Sequence, residues 1–282
     1  MTPRPFQQVD VFASEPLRGN PLAVVLDATG LDEVQMQRFT DWTNLSECTF
    51  VLPPSPEAAS AGADYRVRIF CPGRELPFAG HPTLGTCHAW LRAGGKPQGD
   101  CVVQECGAGL LKIRRQGEWL AFAAPPLLRG GPLDETTLQR IAQGLGLARE
   151  DIVAHAWCDN GPHWRGVMLR SARQVLAVQP DPVVLAGMEV GLIGPHESGD
   201  AHFEVRAFFP VLRGIAEDPV TGSLNAALAQ WLTGANLAPP AYLAAQGTAL
   251  GRAGRVRIER EADGTIWVGG HSVTCIEGSV SL

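Results

Sequence analysis

Three ionisable side chains in this 282-residue chain stand where protons could be moved or an anion held: Glu47, His81 and Asp218. Glu47 closes the turn-like stretch Asn44-Leu45-Ser46-Glu47, directly before the apolar run Cys48 to Leu52. A carboxylate in a wall that also holds Phe50 loses hydration, which lifts its pKa toward the range useful for proton transfer near neutral pH. The plain alternative is a helix-end or surface glutamate, and position alone favours that alternative. His81 and Asp218 each precede a proline and then an apolar, helix-like run. A helix start gathers N–H groups with partial positive charge, so Gly80-His81 could hold a carboxylate or phosphate. An aspartate before a proline is also an ordinary cap.

The two stretches are copies of one pattern. Val67-Arg68-x-Phe70-x-Pro72 returns as Val205-Arg206-x-Phe208-x-Pro210, and His81-Pro82-x-x-Gly85-Thr86 as Asp218-Pro219-x-x-Gly222-Ser223. Pro82 suits the first helical position. Leu91 matches Leu228, and the helices end at Gly94-Gly95 and Gly234, where glycine tolerates a left-handed cap. The spacing differs by one residue, which marks a diverged duplication rather than a tandem array. Two similar halves follow, each with a central helix. If the halves face each other, His81 and Asp218 look across one cleft. Capping alone does not explain titratable groups at two related helix starts.

The remaining elements are short. Gln8 to Phe12 and Leu22 to Leu26 read as strands joined by a loop with Gly19-Asn20-Pro21, followed by a helix over Leu31 to Trp42. Val102 to Ala123 reads as a meander, Pro125 to Pro132 as a linker, and Asp134 as the cap of a helix to about Leu145. A hairpin turned by Asp263-Gly264 and a last strand near Val273 to Leu282 end the chain. Many short strands around one apolar helix per half is an α+β pattern, poor in βαβ units. The expected halves are residues 1–126 and 127–282, with the last strand, about 272–282, a candidate to return to the first half.

Composition removes other classes. The formal charge of −6 and the absence of a basic block speak against nucleic acid. No apolar run is long enough for a signal peptide or a membrane span, and the odd count of seven cysteines lacks paired spacing. A reduced, cytoplasmic protein is expected. Dinucleotide and P-loop glycine patterns and the G-x-S-x-G elbow are missing. His163, His196, His202 and His271 lack the spacing of a metal site, so no metal is expected. Most cysteines read as small buried hydrophobes.

The strings NLSECTFV, FCPGRELPFAGHPTLGT and EDPVTGSLNAAL, with the opening VDVF and GNPLAVV, resemble the PhzF-like family of phenazine biosynthesis. The resemblance covers nearly the whole chain. It implies a diaminopimelate-epimerase-like α+β fold of two pseudo-symmetric halves, each a curled, mostly antiparallel sheet around a central helix. It also implies a homodimer and an isomerase that moves a proton between carbons of a small carboxylic acid without cofactor or metal. Glu47 would then be the acid/base, with His81 and Asp218 beside it. Gly80, Ser223 and the second helix start (Thr221, Gly222) would line the substrate. Related epimerases use two cysteines at the helix starts, which this chain lacks. Cys48 and Cys71 stand where threonine is common and Leu224 where alanine is common, which bears on pocket size. The alternatives are a racemase or epimerase of an amino-acid derivative, and a non-catalytic small-acid-binding protein.

Overall fold

The computed structural model describes residues 2–211 and 214–282. They form two compact units, one running to Ala123 and taking in Gly269–Leu282, the other Ala124–Val268. The boundary thus falls three residues before the one expected at 126/127. Residues 269–282 leave the second unit because their strand pairs along the first strand of the chain, from Pro3↔Ser281 to Val11↔Ser272.

In the first unit β1 (Pro3–Val11) runs antiparallel to β2 (Asn20–Val25), and α1 (Glu33–Thr43) crosses to β3 (Cys48–Leu52), parallel to β2. The one-turn helix α2 (Pro56–Ser60) leads to β4 (Tyr65–Cys71), antiparallel to β3 and hairpinned to β5 (Arg74–Leu76). Then α3 (Gly80–Arg92) crosses to β6 (Val102–Cys106), parallel to β4, and β7 (Gly109–Gln116) and β8 (Trp119–Ala123) complete a meander. The second unit opens with α4 (Glu135–Leu145), capped by Asp134 through the N–H of Thr137 at 2.8 Å. It then repeats the scheme. An antiparallel pair β9 (Ile152–Asp159) and β10 (His163–Leu169) leads through α5 (Ala172–Ala177) to β11 (Val190–Pro195), parallel to β10. A hairpin of β12 (Phe203–Val211) and β13 (Gly214–Asp218) follows, with β12 antiparallel to β11. Next, α6 (Gly222–Gly234) crosses to β14 (Ala241–Gln246), parallel to β12, and β15 (Gly254–Arg260) returns antiparallel. The strands β16 (Ile266–Gly270) and β17 (Ser272–Ser281) finish the chain.

Antiparallel pairing dominates, yet each unit contains helix crossovers between parallel neighbours, more βαβ character than the sequence suggests. The period-two alternation of a strand reports which face is buried and is silent about pairing direction. Both central helices, α3 and α6, are buried on nearly every side, as a helix enclosed by its own sheet must be. Close approach is met by glycine from opposite partners. A Cβ on Gly85 of α3 would lie 2.6 Å from Leu22 Cδ2, and a Cβ on Gly191 of β11 would lie 2.3 Å from Leu224 Cδ1 of α6.

The duplicated Arg residues pin the two hairpins that feed the central helices. Arg206 grips Glu217 through Nε and Nη2 at 2.9 and 2.8 Å and donates Nη1 to the carbonyls of Val175 and Val178. Arg68 grips Glu75 in the same fork and also reaches Glu33. The Arg206–Glu217 pair is buried, whereas the Arg68 cluster is partly in solvent. Arg206→Ala leaves Glu217 uncompensated, so a loss of about 3 kcal/mol or more is expected, against about 1 kcal/mol or less for Arg68→Ala, read from urea unfolding.

Candidate active site

Glu47 is delivered by the end of one helix and the start of one strand. α1 begins at a capping box, in which Asp32 accepts from the Gln35 N–H and Gln35 accepts from the Asp32 N–H. It ends at Asn44, whose φ of 58° is left-handed, a conformation asparagine adopts more readily than most residues. Four residues later, directly after Glu47, the chain enters β3, whose side chains join a core of Met36, Phe39, Phe50 and Phe70. The Glu47 side chain is 17% exposed. Burial pushes its carboxyl up to about 7, opposed in part by the neighbouring Ser46 hydroxyl. Its Oε2 has no hydrogen-bond partner and lies 3.5 Å from His81 Nε2.

His81 is placed by α3, which begins at Gly80, so Pro82 stands at the third helical position rather than the first. The helix is tied to the strand that follows Glu47 by Thr86 Oγ1, which donates to Thr49 Oγ1 of β3 at 2.8 Å. On the far side of the imidazole, Asn20 Nδ2 stands 3.5 Å from Nδ1. An amide nitrogen only donates, so a neutral ring that accepts at Nδ1 in this contact carries its proton on Nε2, toward Glu47. Asn20 and His81 are both buried.

The second unit builds its own cluster. Asp218 is the last residue of β13, and α6 starts four residues later at Gly222, with Thr221 as N-cap. The echo between His81-Pro82 and Asp218-Pro219 is therefore not a structural equivalence. α3 and α6 have the same length and lie 142 residues apart, which matches Gly80 with Gly222 and His81 with Ser223. β4 and β12 match at 138 instead, Val67 with Val205 and Arg68 with Arg206. The difference is taken up in the longer β12–β13 hairpin, and this slides the proline out of the second helix. Asp218 Oδ2 accepts from the Thr221 hydroxyl at 2.6 Å. Ser223 Oγ accepts from Trp164 Nε1 at 3.1 Å, and its carbonyl from Asn160 Nδ2 at 2.9 Å.

The structure thus brings Glu47 and His81 together in one unit, with Gly80 beside them, and Asp218, Thr221, Gly222 and Ser223 together in the other. Asn20, Gln104 and Gln246 were not singled out by sequence reasoning. The available signal was a lone amide beside an apolar strand, and for the glutamines the same 142-residue offset. All seven cysteines are free thiols. Burial raises Cys48 to about 11 and Cys87 to about 12, so neither is a thiolate near neutral pH. Among the described residues no group of His, Cys, Asp and Glu could hold a metal ion, and no helix is long and apolar enough to cross a membrane.

A family model described as phenazine biosynthesis-like protein (PhzC-PhzF) matches residues 9–278. The chain belongs to this family. It is 34% identical to antisense-enhancing sequence 1 of Schizosaccharomyces pombe, over 99% of each chain. It is 32% identical to the trans-2,3-dihydro-3-hydroxyanthranilate isomerase of Pseudomonas aeruginosa, over 97% of this chain and 98% of that one. A PhzF-family phenazine biosynthesis protein of Bacillus anthracis shares the fold with a TM-score of 0.84 at 24% identity, each chain covered completely. A hydroxyproline epimerase of Agrobacterium vitis shares it at 0.61 and 13% identity, over 99% and 93% of the two chains. The fold is epimerase-like α+β, and the protein is an enzyme of the isomerase and epimerase kind.

The raised carboxyl carries a sign that can be tested. Below about pH 4.5 Glu47 is protonated in both the folded and the unfolded chain. As pH rises to about 7 the unfolded chain loses the proton first, so stability is lost across that window. Glu47→Gln should raise the unfolding free energy at pH 8 by up to about 3 kcal/mol and change it little at pH 4, measured by urea titration.

Proposed function

We propose that Glu47 moves a proton between two carbons of a small carboxylic acid, with no cofactor, and that trans-2,3-dihydro-3-hydroxyanthranilate is the first substrate to try. The observation that carries this reading is the Glu47 carboxyl itself. It is mostly buried, it titrates near neutrality, and its Oε2 is left without a hydrogen bond. A purely structural carboxylate in such surroundings would be paired, because burying an unpaired polar group destabilises the fold. A group that must take a proton and give it back needs a pKa near the working pH instead.

In this reading the carboxylate removes a hydron from an acidic C–H, and the electron pair spreads into the conjugated acid. The resulting carboxylic acid then returns the hydron to a second carbon, so atoms and charge balance within one ligand. His81, with its proton on Nε2, donates to the developing negative charge. Each central helix start, at Gly80 in one unit and at Gly222 and Ser223 in the other, presents first-turn amides of the kind that favour an anion. Asp218 accepts from a hydroxyl or amino group of the substrate. The relatives named as isomerases of trans-2,3-dihydro-3-hydroxyanthranilate motivate the choice of substrate.

The experiment is uptake of deuterium from heavy water into substrate, followed by NMR. Glu47→Gln should cut exchange by about 10³-fold or more, and full exchange in that variant would end the role given to Glu47. In the wild type kcat/KM should rise as pH passes through about 7, where Glu47 becomes ionised.

A further inference from the structure

Gln246 ends β14 fully buried, among polar atoms of the segment that precedes α6. Its Oε1 accepts from the backbone N–H of Thr221 at 3.0 Å and from Asn225 Nδ2 at 2.8 Å. Its Nε2 donates to the Asp218 carbonyl at 3.2 Å and to Thr221 Oγ1 at 2.9 Å. A backbone N–H can only donate and a carbonyl can only accept, so these two partners allow one orientation of the amide. With Nε2 donating into Thr221 Oγ1, the hydroxyl hydrogen of Thr221 is released toward Asp218 Oδ2, 2.6 Å away. Oδ2 therefore receives a hydrogen and cannot carry one.

We propose that Gln246 is a positioning residue for Asp218, acting through the Thr221 hydroxyl to keep Asp218 an ionised carboxylate with Oδ2 as acceptor. The inference rests on the reading that Asp218 meets substrate, where an ionised carboxylate would accept from a hydroxyl or an ammonium.

The first unit supplies an internal comparison. Gln104 of β6, 142 residues earlier, is buried in the same way and donates Nε2 to Thr83 Oγ1 at 3.2 Å, while its Oε1 accepts from the Tyr65 hydroxyl. There the chain of hydrogen bonds ends on a backbone carbonyl, that of Ala79, which accepts from Thr83 at 2.9 Å. At the same offset Thr83 matches Asn225, whose Nδ2 likewise donates to the carbonyl four residues back, and Ala79 matches Thr221, so the first unit holds its helix start with an equivalent glutamine and has no hydroxyl at the Thr221 position. The Asp218 terminus is an addition that a central helix of this kind does not need in order to form. Glu217, the residue before Asp218, is held by Arg206 in a two-point ion pair.

The test is a carbon-13 carboxyl NMR titration of aspartate-labelled protein, with the Asp218 signal assigned through Asp218→Asn. A hydrogen bond to the charged form lowers a carboxyl pKa. Thr221→Val and Gln246→Met should therefore raise the Asp218 pKa by about one unit or more, while Thr221→Ser keeps the wild-type value. An unchanged Asp218 pKa in folded Thr221→Val overturns the proposal, and this pair of threonine variants decides it should Gln246→Met fail to fold. Deuterium exchange separates the two levels. A shifted pKa in Thr221→Val with full exchange in Asp218→Asn supports the relay and overturns only the substrate role of Asp218.

Discussion

A carboxyl group withdrawn from water, with Oε2 left unbonded, is the constraint around which the first unit is arranged. The core of Met36, Phe39, Phe50 and Phe70 surrounds the strand that begins beside it. The threonine pair Thr86–Thr49 locks the central helix to that strand, which keeps His81 Nε2 within 3.5 Å of Glu47. The separation matters. A short, aligned hydrogen bond to a protonated imidazole would drag the carboxyl pKa down and lock the pair. At this spacing burial prevails, and the carboxyl titrates near neutrality.

Two carboxylates of the second unit, Glu217 and Asp218, are handled in the opposite way. Glu217 is paid in full by Arg206, and Asp218 receives a hydroxyl hydrogen. Two adjacent acidic residues of one strand therefore have different surroundings, one a buried structural pair and the other held by a polar relay. That division explains how an isomerase of this family can carry several acidic groups near its central helices without their being interchangeable.

Much of this was legible in the residues, and what was not has physical reasons. The duplication was visible because Arg68 and Arg206 do the same work in the same hairpin, so their surroundings repeat. Glu47 could be located, since a charged residue abutting an apolar strand stands out, while its lack of a short hydrogen bond depends on side-chain positions that no local string contains. The alignment of His81 with Asp218 misled because a proline is tolerated both inside the first turn of a helix and just outside it. Only the hairpin length tells which, and the structure equates His81 with Ser223. Gln104 and Gln246 were unreadable because a single buried amide in an apolar stretch looks like any polar residue at a strand end. The crossovers between parallel strands were missed for a similar reason, since pairing direction is a property of two strands together.

The pairing of β17 along the whole of β1 has a consequence for biosynthesis. Residues 124–268 make up a compact unit that does not include β17, whereas the β1 edge that β17 covers cannot be sealed until that strand has been made. During that interval β1 is hydrogen-bonded to β2 alone and offers its other edge to any extended segment nearby. The nascent molecule thus exposes a sticky ribbon early and seals it last, so translation pauses or truncations late in the message should provoke clumping rather than yield a shortened but tidy product.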